Sequence, residues 1–262
     1  MARLAWLGWS ALLPFALCEY NITFTPSYEL LITEGNKALV NNTAMLAGAQ
    51  NSTVRMVKNT TQGVAYAFIA PTIAKVTLNT SSTFHGARFS ASPDSRFYGV
   101  WEYPFNNQID NANVTFDLKG VGNNVGINWC NARAPFFLTS AGYGVYADTL
   151  KMGSYSFDTS GDAQFIFNTS ILTYYVILPK DNGGLKSVIE QYTHLSARSE
   201  VPAISGLGPT FWSDDFTVDF HGSVSNAQEN IQDVVNHLYD NRIRATSIFA
   251  DRPYGSGNRS WG

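Results

Sequence analysis

Asp251 closes the apolar run ATSIFAD (245–251) and is followed at once by Arg252, Pro253 and Tyr254. If that run is a strand of a (β/α) barrel, its C-terminal end is where such barrels hold their ligand-binding groups. A carboxylate there can accept hydrogen bonds from sugar hydroxyls or pair with Arg252. A loop or helix-capping acid would read the same from these residues alone. Asp214 and Asp215 end the preceding apolar segment and fall in the same class. Trp212, Phe216, Tyr254 and Trp261 surround these ends. Aromatic faces stack on the C–H faces of sugar rings, and they fill ordinary cores equally well. His85, His194, His221 and His237 are scattered, and His237 falls in a helical stretch with the look of a surface residue. The sequence contains no Gly-x-Ser-x-Gly, His-Glu-x-x-His, phosphate loop or Cys-x-x-Cys, so it points to no metal and no cofactor.

The elements that must carry these residues change in kind along the chain. From 19 to about 179 the text is β: 20–33, 64–69, 74–78, 113–118 and 164–178 are rich in Val, Ile, Phe, Tyr and Thr. Several of these segments alternate apolar with polar residues, and turn clusters such as 120–124 and 158–162 separate them. That pattern predicts an antiparallel β-sandwich. After Gly183 and Gly184, the residues Leu185, Val188, Ile189 and Tyr192 make one apolar helix stripe. A linker with two prolines and two glycines follows over 199–209. The remainder reads as strand, helix, strand. The strand is GPTFWSDDF (208–216). Ser225 and Gln228 form a capping box ahead of Ile231, Val234, Val235, Leu238 and Tyr239, and 245–251 is the second strand. Strand–helix–strand implies parallel pairing. The domains expected are a leader at 1–18, a sandwich at 19–205, and the start of a barrel at 206–262.

Bulk properties narrow the function. Charged residues make up only 14% of the chain and aromatic residues the same share, which suits a protein handling neutral polymers such as glycans. The net charge of −3 argues against nucleic acid, since phosphate binding needs a basic face. Met1 to Arg3 begin with positive charge, 4–17 are apolar apart from Ser10, and Ala16 and Cys18 place small residues before Glu19. This is the pattern of a cleavable secretory signal, shorter than the run of about 20 apolar residues a membrane span needs. Asn-x-Ser/Thr sequons at Asn21, Asn41, Asn51, Asn59, Asn79, Asn113, Asn168 and Asn258 fit an exported glycoprotein and are expected on exposed turns. Cys18 leaves with the leader, so Cys130 stands alone as a buried or unpaired thiol.

Three stretches then resemble glycoside hydrolase family 31, the α-glucosidases and α-xylosidases. RFYGVWEYPF (96–105) is similar to the family's Tyr-Gly-x-Gly-Glu segment, with Trp101 in place of the second Gly. APFFLTSAGYGVYADT (134–149) is similar to its Pro-Phe-Phe-Leu…Gly-Tyr-Gly-Val signature. YYVILPKDNGGLKSVIEQYTHLSARSEVP (174–202) resembles its passage from sandwich through helix to barrel, with Ser196-Ala197-Arg198 where Thr-Gly-Arg is usual. The resemblance implies a galactose-mutarotase-like antiparallel β-sandwich followed by the first strand–helix–strand of a (β/α)8 barrel. It implies cleavage of α-glycosidic bonds with retention, by two carboxyl groups about 5–5.5 Å apart. In the family both lie downstream of the segment matching Asp251, so no catalytic residue falls in these 262 positions. Asp251 carries over as a substrate-binding carboxylate and Phe216 as an aromatic wall. The sandwich loop that brings an Asp toward the sugar reads Gly120 to Gly126 here, with Asn123 and Asn124, which supply hydrogen bonds without charge. The partner implied is an oligosaccharide or glycoside substrate. The competing reading is a non-catalytic carbohydrate-binding β-sandwich, or a subunit completed by a separate barrel.

Overall fold

Alternation along the strands builds two sheets whose inner faces meet. The computed structural model describes residues 20–24, 30–48, 55–56, 63–90, 92–101, 113–116, 133–158, 162–213 and 227–250. Sixteen strands occur among them: β1 Tyr20–Phe24, β2 Leu30–Glu34, β3 Lys37–Gly48, β4 Arg55–Met56, β5 Val64–Ala70, β6 Ile73–Leu78, β7 Phe84–Ser90 and β8 Phe97–Trp101 in the first part. The rest are β9 Asn113–Phe116, β10 Arg133–Thr139, β11 Tyr143–Asp148, β12 Gly153–Phe157, β13 Asp162–Phe167, β14 Leu172–Ile177, β15 Thr210–Ser213 and β16 Ser247–Ala250. The helices are α1 Gly184–Leu195 and α2 Ala227–Asp240. One sheet runs β1-β2-β3-β7-β13-β12-β9, with β4 paired to β3; the other runs β5-β6-β14-β11-β10-β8. All pairings in these two sheets are antiparallel. The mainly β, antiparallel class expected from the sequence is the one observed.

The segments 20–33 and 164–178 each resolve into two strands, β1 with β2 and β13 with β14.

Aromatic rings fill the space between the sheets. Phe89, Phe97, Phe137, Tyr143, Tyr155, Phe157, Phe165, Phe167 and Tyr174 are all buried in one cluster with Leu30, Ile32, Val76 and Val176. Phe89 contacts Phe137, Tyr143, Phe165 and Tyr174 with ring centroids 6.1 to 6.2 Å apart. Each such ring contributes on the order of 2–3 kcal/mol through removal from water.

Two glycines of the family-like stretches have packing reasons. Gly99 has φ +111, and a Cβ on it would lie 2.6 Å from the Phe136 carbonyl oxygen. Gly144 brings β11 under α1: a Cβ there would lie 2.8 Å from Val188 Cγ1 and 2.9 Å from the Phe136 ring. Helix α1 thus rests on the outer face of the second sheet, its Val188 buried against Ile73, Phe136 and Ile177. Its stripe is narrower than the spacing predicts. Ile189 is 44% exposed, and the buried position beside Val188 is Ser187, whose hydroxyl oxygen accepts from Lys180 N–H at 2.9 Å and donates to the Gly184 carbonyl.

The chain divides into two compact units, Met1–Ala197 and Arg198–Gly262. The expected linker over 199–209 is not featureless, since Ile204–Leu207 form a 3₁₀ turn.

Candidate functional site

Within the second unit, β15 and β16 lie side by side and parallel. Thr210 pairs with Ser247, Phe211 with Ile248, Trp212 with Phe249 and Ser213 with Ala250. The Thr210 and Ser247 hydroxyls are 2.7 Å apart at the N-terminal end of the pair. Helix α2 connects the strands and ends in a tight reversal: Arg242 takes φ 56, and Ile243 N–H donates to the Leu238 carbonyl at 2.8 Å. Thr246 N–H then donates to Pro209 O at 2.8 Å and sets the register of β16 against β15.

That register matters for the acids. Ser213 and Ala250 are cross-strand partners at the C-terminal ends, and Asp214 and Asp251 are the residues next in sequence. Asp214, Asp215, Asp251, Phe216, Tyr254 and Trp261 themselves lie outside the described residues. So do Ser225, the 120–126 loop, Cys130 and His221. What is described is the platform they leave from. Its flank is apolar and uncovered: Val235, Leu238, Tyr239, Ile243, Ala245 and Ile248 line a cavity of about 280 Å³ between α2 and β16. Tyr239 is 82% exposed and Phe249 48%. Val234 alone of the α2 stripe is fully sequestered.

In the first unit a histidine carries more structure than its sequence position suggests. His85 is buried on β7. Its Nδ1–H donates to the Thr169 carbonyl at 2.8 Å. Its Nε2 accepts from the Thr80 hydroxyl at 2.8 Å and faces Thr80 N–H at 3.4 Å. These partners fix one neutral tautomer, since Nε2 is an acceptor on both counts. The imidazole thereby ties the turn after β6 to the turn after β13. No spacing signal announces this, because the partners are 5 and 84 positions away. His194 and His237 are exposed, as expected for His237. Among the described residues no group of three or more His, Cys, Asp or Glu side chains is arranged for a metal ion. No helix among them is long and apolar enough to cross a membrane.

Tyrosines dominate the electrostatics. Tyr146 and Tyr175 stack at 5.8 Å on the outer face of the second sheet, and the Tyr146 hydroxyl donates to Asp148 Oδ1 at 3.2 Å. Partial burial, and then the Asp148 charge, push the Tyr146 phenol up to about 12. Tyr175 is raised for the same reasons. Burial raises Tyr143 and Tyr155 further, because a phenolate in the aromatic core would be charged without water.

The sequons are not confined to turns. Asn21 lies in β1, Asn41 in β3 and Asn113 in β9; Asn79 and Asn168 follow β6 and β13. Period-2 alternation explains Asn21 and Asn41, since every second residue of a sheet with one wet face meets solvent. Asn21, Asn41, Asn79 and Asn168 are exposed. Asn51, Asn59 and Asn258 lie outside the described residues.

The chain superposes on solved glycoside hydrolases. A GH31 family sulfoquinovosidase from E. rectale matches with TM-score 0.60 at 11% identity, over 88% of this chain and 41% of that one. A Flavobacterium johnsoniae GH31 dextranase matches with TM-score 0.60 at 15% identity, over 92% of this chain and 28% of that one. A GH31 alpha-xylosidase from a soil metagenome, solved with xylose, matches with TM-score 0.54 at 14% identity, over 86% and 30%. At such identities the likeness is one of fold. In sequence, the alpha-xylosidase XylQ of Lactiplantibacillus pentosus is 27% identical over 145 residues, 54% of this chain and 18% of the relative. No family model matches. The chain therefore spans less than a fifth of that curated relative and less than half of each solved one.

Proposed function

We propose, from the likeness in fold to solved GH31 enzymes and in sequence to an alpha-xylosidase, that this chain is the N-terminal part of a secreted α-glycosidase of glycoside hydrolase family 31. It supplies the β-sandwich and the first strand–helix–strand of a (β/α)8 barrel. The enzyme cleaves α-linked glycosides of the glucoside or xyloside kind with retention, and its nucleophile and acid/base lie outside these 262 residues. Asp251 binds the non-reducing sugar through its carboxylate, and Phe216 forms one wall of the site.

The observation that carries this reading is the parallel β15–β16 pair, with Ser213 and Ala250 in register and an acid next in sequence after each. In a barrel the C-terminal strand ends face the ligand. Charge-assisted hydrogen bonds donated by sugar hydroxyls to a carboxylate help catalysis to the extent that they tighten at the transition state. The uncovered apolar flank of α2 and β16 supports the same reading, because a lone βαβ unit cannot cover its own faces. Export and glycosylation are supported by the leader-like start and by four exposed sequon asparagines.

The test is hydrolysis. Purified alone, the 262-residue chain should not release aglycone from aryl α-glucosides or α-xylosides. A preparation that does so, and loses the activity on Asp251→Ala, would place the chemistry inside this chain and overturn the reading.

A further inference from the structure

A polar groove of about 560 Å³ opens at one end of the sandwich, lined by Lys37, Leu39, Asn41, Ser90, Ser92, Asp94, Ser140 and Tyr143 among others. The geometry points to an N-linked glycan on Asn41 whose first pyranose lies in this groove. Asn41 begins the sequon Asn41-Asn42-Thr43 and is exposed on β3. It sits directly across from Ser90 of β7, and immediately after it the register of the pair shifts between Asn42 and Ala44. Such a bulge turns a strand and re-aims its side chains.

The lining suits a sugar. Ser140 Oγ accepts from Arg96 N–H at 2.8 Å and Ser92 Oγ accepts from Asp94 N–H at 3.4 Å; neither bond commits the hydroxyl's own proton. Asp94 is an acceptor and Lys37 a donor on the same rim. Leu39, Ala38 and Ala141 offer apolar contact to C–H faces. Asn21, exposed on β1, is not among the groove's lining residues and serves as the control.

Glycosylation requires export, proposed above, so the experiment separates the two. The chain is expressed with its own leader in a eukaryotic secretory host that makes high-mannose glycans, and sequon occupancy is read by mass after enzymatic deglycosylation in heavy-oxygen water. Melting temperatures are then compared for the native chain, for Asn41→Gln, Asn21→Gln and Asp94→Ala, and for the Asn41→Gln/Asp94→Ala double variant. Expected are occupancy at Asn41, a drop of about 2–4 °C for Asn41→Gln and none for Asn21→Gln. Asp94→Ala should add nothing further once Asn41 is replaced, because the two act through one contact. Trimming the glycan to a single sugar should keep the native melting temperature. A bare Asn41 beside other occupied sequons, or additive effects in the double variant, overturns the assignment alone. A chain with no sequon occupied overturns export as well. Saturable binding of maltotetraose to the glycosylated chain, lost in Asp94→Ala, would show the groove open to a free sugar and contradict a seated glycan.

Discussion

The rings of Phe136 and Tyr192 lie parallel, with centroids 3.9 Å apart and planes 2° from coincidence. One belongs to β10 and the other to α1, the helix that leads from the sandwich toward the second unit. Tyr146 meets Tyr192 edge-on at 5.2 Å, and Gly144 clears the space for Val188 beside them. This cluster fixes where the chain leaves the sandwich. Tyr192→Ala should destabilise the chain by about 2 kcal/mol, less than a fully buried ring because Tyr192 is half-buried. Urea unfolding followed by tyrosine fluorescence measures it, and Tyr192→Phe should lie within about 0.5 kcal/mol of the native protein.

Gly144→Val should be worse than its small volume suggests. The new side chain meets Val188 and the Phe136 ring, so α1 must lift from β11. A loss of about 2–3 kcal/mol is expected from overpacking, together with faster hydrogen exchange in 184–195. Unchanged exchange there would mean that α1 does not rest on Gly144.

His85→Phe keeps a planar aromatic ring, slightly larger than imidazole, and removes the hydrogen bonds of both ring nitrogens. The Thr169 carbonyl and the Thr80 hydroxyl then lose their buried partner, at a cost of about 1–3 kcal/mol. The turns after β6 and β13 should become the first sites of limited proteolysis, read by mass spectrometry of the early fragments. Cleavage confined to other loops would contradict the role assigned to the imidazole.

Alkaline pH should loosen the sandwich in a defined window. The folded-state pKa of Tyr146 is raised to about 12 from an ordinary phenol near 10. Between those values the folded chain holds more protons than the unfolded one, so stability falls as pH rises. Below pH 10 the contribution is fully present. Tyr143 and Tyr155 are raised by burial and extend the loss to higher pH. Denaturant midpoints from pH 9 to 12 should decline, and Tyr146→Phe should flatten the part nearest pH 10–12. A midpoint independent of pH over that range would refute the burial of these phenols.

Sequence patterning reached the parts of this fold that local physics dictates. Period-2 alternation is visible in Asn113–Phe116 and in β6, and the helical stripe of Ile231, Val234, Val235, Leu238 and Tyr239 marks α2. Other features depend on partners far away in sequence. The reversal between β13 and β14 falls on Asn168, Thr169 and Ser170, turn-forming residues that the run 164–178 had absorbed into one strand. The exposure of Ile189 follows from Ser187 taking the buried place over Lys180, which spacing alone cannot reveal. The groove beside Asn41 is assembled from β3, from 90–95 at the end of β7, and from 140–143, three segments about 50 positions apart in sequence. The strand–helix–strand order was legible from patterning, and a parallel pair with its register set by Thr246 and Pro209 puts Ser213 beside Ala250.

The central claim is that these residues begin an α-glycosidase in which Asp251 holds the sugar. The most direct measurement is to sequence the transcript past the Gly262 codon and assay the encoded protein on aryl α-glucoside and α-xyloside, with and without Asp251→Ala. The account predicts a continuing reading frame that supplies a barrel with two further carboxylates and hydrolyses with retention. It also predicts a fall in kcat/KM on the order of 10²–10³-fold for the variant, the scale of losing one transition-state hydrogen-bonding group. A stop codon directly after Gly262 in a stably secreted protein, or full activity in Asp251→Ala, would contradict it.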